Sequence, residues 1–161
     1  MNRRSLSIIF LLAWLTAGTL DILGAVFILS KGNASATFRY IANAVTANTA
    51  SWSQATVLFF GAACHYFIAL CWVAVYFIVY KPLRFHKIPI VLSSLLYGSL
   101  IFLSMRYLFV PFLSTLPAPK PFNSTLISVF IKNIFILSIA FGVTLKLFAV
   151  KYYQVKADQK P

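Results

Sequence analysis

Residues 5–30 read SLSIIFLLAWLTAGTLDILGAVFILS, an apolar run whose one charge is Asp21. The run is longer than the roughly 20 residues a helix needs to cross a bilayer core. An isolated charge near the bilayer centre costs at least about 2.5 kcal/mol on insertion scales, so a carboxylate there must be paired, protonated or set in a polar cavity. Fold and function both turn on what surrounds Asp21.

Three more apolar runs follow, at 54–80, 88–113 and 124–150. The chain is 61% hydrophobic and only 10% charged, against about a quarter charged in soluble domains. With 161 residues and four such runs, no stretch remains for a second domain, and 1–161 is read as a single transmembrane domain. The fold class is all-α, an integral membrane bundle of four transmembrane helices. Asn2, Arg3 and Arg4 precede the first run as they would in a signal peptide. Its apolar stretch is too long and no small-residue cleavage site closes it, so it is read as an uncleaved helix.

A net charge of +12 would suggest nucleic acid or another anionic partner in a soluble chain. Here the cations flank the apolar runs, where they suit the anionic headgroups of a bilayer, and no nucleic acid is expected. Arg3, Arg4, Lys81, Arg84, Lys87, Lys151, Lys156 and Lys160 fall on one side, against Lys31, Arg39 and Lys120 on the other. The positive-inside rule then places both termini in the cytoplasm. Lys146, inside the fourth run, is expected to snorkel to the cytoplasmic interface. Trp52, Tyr80, Phe85, Tyr152 and Tyr153 read as an interfacial aromatic girdle.

The first connection, 31–53, carries Phe38, Tyr40, Ile41 and Val45 at a spacing that predicts a short amphipathic helix lying in the interface. The second, KPLRFHK at 81–87, is short and basic, and the third, STLPAPKPFN at 114–123, has three prolines that stop any helix. Tight connections make consecutive spans antiparallel neighbours. The triplets Asn33-Ala34-Ser35 and Asn123-Ser124-Thr125 match glycosylation sequons, but a short four-span chain fits a bacterial inner membrane, where they carry no meaning.

Depth brings the polar residues of the spans together. Counted from the outer ends, Asp21 lies roughly nine residues in, His65 about eleven, Arg106 about seven, and Lys132 and Asn133 about eight or nine, at about 1.5 Å per residue. Asp21 continues the stripe Ala13, Ala17, Asp21, Ala25, and His65 the stripe Gly61, His65, Ala69. Small residues four apart mark faces on which membrane helices approach closely. Thr19, Asp21, His65, Arg106, Lys132 and Asn133 are therefore the candidate polar layer, with Asp21 expected to pair with Arg106 or Lys132.

Other chemistries are poorly supplied. His86 lies in a connection, so a haem with two axial histidines is not expected, and Asp21 with His65 falls short of the three or four ligands zinc prefers. No cofactor is expected. Cys64 and Cys71 are seven residues apart on one helix, roughly 10 Å along its axis, and cannot bridge. The only acids are Asp21 and Asp158, and no GxSxG elbow is present, which argues against an enzyme.

The strings AGTLDILGA, CHYFIALCWVAVYF and LLYGSLIFLSMRYLFVPFLS together resemble a group of small, uncharacterised four-helix bacterial inner-membrane proteins. The shared pattern is Thr19 and Asp21 in the first span, His65 and Tyr66 in the second, and Tyr97, Gly98 and Pro111 in the third. The chain departs from it at Arg106, where the pattern has a small polar residue such as Asn, and at Asn133, where it has a His. The resemblance implies a fold and a location and supplies no activity. The chain reads first as a non-catalytic membrane component whose polar layer fixes helix packing. The alternative is binding or transport of a small ligand, ion or proton through Asp21 and His65. The bilayer, a homo-oligomer or a larger membrane complex are its partners.

Overall fold

The computed structural model describes residues 3–46, 48–116 and 124–157. Lys120, Asn123, Asp158, Lys160 and most of the proline-rich connection lie outside them. Every regular element among the described residues is helical, and four helices are long and apolar enough to cross a membrane: Ser5–Leu29, Gln54–Val79, Ile90–Phe112 and Ile127–Ala157. The first span joins α1 (Arg3–Gly24) to a π-helical segment, Ala25–Leu29. A short helix, α2 (Ala34–Thr46), precedes the second span, α3 (Gln54–Val79). The third span runs through α4 (Ile90–Ser104), a π segment (Met105–Phe109) and α5 (Val110–Leu113). The fourth runs through α6 (Ser124–Leu137), a π segment (Ser138–Val143) and α7 (Thr144–Ala157).

Two span limits differ from expectation. The third begins at Ile90 instead of Ile88 because Pro89 stands at its N-cap, where a missing N–H and a fixed φ suit a helix start. The fourth continues past Val150 to Ala157, since apolarity ends where Lys151 and Gln154 appear but the helix does not. Val155 is buried there, and Tyr153 Oη donates to the Phe77 carbonyl at 2.5 Å.

Small residues set how closely the spans pack. On the first, Ala13 and Ala17 are fully buried, and a Cβ on Gly18 would sit 3.0 Å from the Tyr66 ring and 3.3 Å from Ala69. Trp14 Nε1 ties the same interface by donating to the Tyr66 carbonyl at 2.8 Å. Between the third and fourth spans the contact is reciprocal. Gly98 faces Ser138 and Gly142 faces Ser94, each so close that an added Cβ would collide with backbone.

The end that carries Arg3 and Ala157 is closed by aromatic rings. Tyr76 is wholly buried, edge-on to Tyr97 at 4.7 Å and stacked on Phe85 at 5.6 Å, while Tyr80 stacks on Tyr153 at 5.3 Å. Tyr80 and Phe85 are thus core residues and not part of a girdle. Arg84, at φ 54°, takes the left-handed conformation that turns the connection back and drops Phe85 onto Tyr76.

Lys146 does not snorkel. It is buried, and its Nζ donates to the carbonyls of Phe85, at 3.2 Å, and Ile88, and to Ser93 Oγ at 3.3 Å. The Phe85 carbonyl already accepts from the Ile88 N–H at 3.3 Å and takes the ammonium on its second lone pair, while the Ile88 carbonyl lies past the end of the short 3-10 helix, and the three-donor ammonium bonds both. Lys146→Met keeps the length and removes the donors. We expect it to lose about 3 kcal/mol, the scale of a charge-assisted hydrogen bond together with the acceptors it strands, measured as a shift in the denaturant midpoint in micelles. A midpoint equal to the parent's would show that the ammonium is not what holds the connection.

Candidate functional site

At the opposite end the spans separate and leave a cavity of about 590 Å³. Each span supplies polar or aromatic lining: Asp21 from the first, His65 and Trp72 from the second, Arg106 from the third, and Asn133 from the fourth. Helix α2 supplies Thr37 and Tyr40. Four of the six residues picked out by depth therefore share one cavity.

Thr19 and Lys132 do not. Thr19 is exposed and shares a 2.8 Å hydrogen bond with the Tyr66 hydroxyl, and Lys132 is exposed on the outside of the fourth span. Helical geometry explains both. Residues two apart lie on nearly opposite faces, and immediate neighbours are about 100° apart, so Asp21 and Asn133 facing inward turn Thr19 and Lys132 away.

The expected ion pair is also absent. Asp21 and Arg106 line the same cavity but are not bonded to one another, and among the described residues no cation lies within ion-pairing distance of Asp21.

His65 is held by the first span. Its Nε2 lies 2.8 Å from the Gly18 carbonyl, and because a carbonyl only accepts, Nε2 carries the proton and donates. In the neutral ring this leaves Nδ1 as an acceptor. The approach is possible because Gly18 has no side chain where Tyr66 and Ala69 press against it. Asn133 donates through Nδ2 to the Val129 carbonyl of its own helix at 2.8 Å, which leaves its Oδ1 to accept.

Helix α2, expected in the interface, is docked on the second span. A Cβ on Gly61 would lie 2.5 Å from the Phe38 carbonyl oxygen, so glycine is what admits the helix. Asn33 caps it by accepting from the Ala36 N–H at 2.9 Å, after a turn through Lys31 (φ 51°) and Gly32 (φ 87°). Thr37 donates to Ser30 Oγ at 2.7 Å, Arg39 to the Thr49 carbonyl at 2.7 Å, and the Thr115 N–H to the Ala44 carbonyl at 2.9 Å. The helix is tied to the end of the first span and to the third connection.

Sequence reasoning passed over Ser30, Thr37 and the three π segments. The π segments are the more telling omission, because Ala25 and Leu29, Met105 and Arg106, and Phe141 all line the cavity and all lie within them. A π turn admits one extra residue and opens the helix locally, and such turns recur at functional sites. No family model, curated protein or solved structure matches the chain. The site is read from its own geometry.

Proposed function

We propose that this chain is a non-enzymatic, multi-pass protein of the bacterial inner membrane with cytoplasmic termini, and that its cavity binds a small ligand admitted from the outer face. The observation that carries this reading is the convergence of a carboxylate, an imidazole, a guanidinium and a carboxamide, one from each span, on a single cavity of about 590 Å³. That volume falls within the roughly 300–1,000 Å³ of small-molecule sites, and its largely apolar wall with a few placed polar groups is their usual lining. A polar layer serving only as a packing staple would have its acid bonded to a neighbouring cation. The positive charge gathered at one end of the bundle, and the resemblance to small bacterial membrane proteins, support the location and orientation.

Accessibility tests it. In a background with Cys64→Ala and Cys71→Ala, Ile68→Cys places a thiol on the cavity wall one turn beyond His65. A membrane-impermeant thiol reagent applied to the outer face of intact cells is expected to label it, as it labels an exposed Ser51→Cys control, and to spare Gln154→Cys at the other end. An Ile68→Cys protein that reacts only after unfolding would show a dry bundle and end the ligand-site reading.

A further inference from the structure

We infer that the groove at the end of the bundle away from the cavity binds the headgroup of an anionic phospholipid. The groove, of about 560 Å³, lies between the second and fourth spans and is lined by Tyr80, Lys81, His86, Val150, Tyr153 and Gln154. Its base is a fixed ring. Tyr153 donates through Oη to the Phe77 carbonyl at 2.5 Å and stacks on Tyr80 at 5.3 Å, so its position is set by the core. Two ammonium groups gather at that ring: Lys81 Nζ lies 4.7 Å from its centroid and Lys156 Nζ 6.0 Å. A ring attracts a cation. Two cations at one ring also repel each other, and an anion beside both relieves that repulsion. The only carboxylate among the described residues is Asp21, which lines the cavity at the other end, so the anion comes from outside the described chain.

The surroundings suit a lipid. The second span ends at Val79, directly before Tyr80 and Lys81, and the apolar part of the fourth ends at Val150, so in a bilayer the groove stands at headgroup level. Leu147, one turn deeper than Val150, is 61% exposed and carries the apolar edge of the groove toward the bilayer core. A phosphodiester seated at Lys81 and Lys156 therefore leaves its acyl chains along Val150 and Leu147. His86 and Gln154 add N–H donors for its oxygens. A choline headgroup would bring a third cation to the two already there, which selects a headgroup of net negative charge. The groove shares no lining residue with the cavity, and its occupant does not depend on a ligand there.

Melting of the unaltered chain in neutral maltoside micelles reads the site without any substitution. Added dioleoyl phosphatidylglycerol is expected to raise the melting temperature to a plateau, as a bound ligand does. Dioleoyl phosphatidylcholine, which lacks the net charge, and glycerol phosphate, which lacks the acyl chains, are expected to leave it in place. Lys81→Gln combined with Lys156→Gln should move the phosphatidylglycerol midpoint about 30-fold to higher lipid, the weight of two basic residues at a lipid surface. Arg84→Gln combined with Lys87→Gln removes the same charge from exposed positions at the same end but outside the groove. That control should move the midpoint about threefold at most at physiological salt, where separate exposed charges are screened. Equal shifts for the two double variants would mean diffuse attraction in place of a site and overturn the inference. No stabilisation by phosphatidylglycerol, or equal stabilisation by phosphatidylcholine, overturns it too. Stabilisation by glycerol phosphate equal to that by the lipid would put a soluble anion in the groove and overturn it as well.

Discussion

Gly142→Leu is expected to prevent the third and fourth spans from closing on each other and to leave little folded protein. Any Cβ at 142 meets the Ser94 backbone, with Ser94 Cβ at 2.6 Å and its carbonyl oxygen at 2.7 Å, and neither neighbour is the movable tip of a side chain. Gly98 stands in the same relation to Ser138, with Oγ at 2.5 Å and the backbone nitrogen at 2.7 Å. Two antiparallel helices thus exchange a glycine for a serine twice, one turn apart. Between helices in a bilayer there is no hydrophobic drive to restore contact once the backbones are pushed apart. Overpacking alone costs about 1–3 kcal/mol, and a whole isobutyl group against backbone should exceed the upper value. The check is a denaturant titration in micelles, with Ile139→Leu as control because Ile139 is 44% exposed. A Gly142→Leu midpoint matching that control would mean the two spans do not meet at this face.

Asp21→Asn separates a site from a staple. Its carboxylate faces the cavity without a cation bonded to it, so exchanging it for an isosteric amide should leave the melting transition where it was or raise it. Outer-face labelling of Ile68→Cys should meanwhile be unchanged, because the amide occupies the same place on the cavity wall. The opposite result is equally legible. If Asp21→Asn loses about 3–5 kcal/mol and Arg106→Gln restores most of it in the double variant, the two residues are a structural pair and the cavity is incidental.

Much of this site could be read from spacing. Asp21 behind Ala13 and Ala17, and His65 between Gly61 and Ala69, lie on buried faces because small residues every fourth position leave no other surface for a close neighbour. Depth also brought Arg106 and Asn133 to the right level. Depth says nothing about azimuth, however, and Lys132 and Asn133 were inseparable until the fourth helix was oriented. Spacing arguments also assume a uniform helix. The π segment at Met105–Phe109 breaks the phase between Gly98, which faces Ser138, and Arg106, which faces the cavity. The docking of α2 was out of reach for a different reason: its partner is one absent side chain, at Gly61, and an absence has no periodicity.

Lys146 bears on the order in which the spans can assemble. A helix entering lipid alone with an ammonium in its length carries a cost that only specific acceptors remove. Those acceptors, the carbonyls of Phe85 and Ile88 and the hydroxyl of Ser93, belong to the turn between the second and third spans and to the first turn of the third. In a bilayer, a fourth span arriving before the 85–93 turn has formed is expected to lack the acceptors its ammonium needs, so that turn is expected to form first.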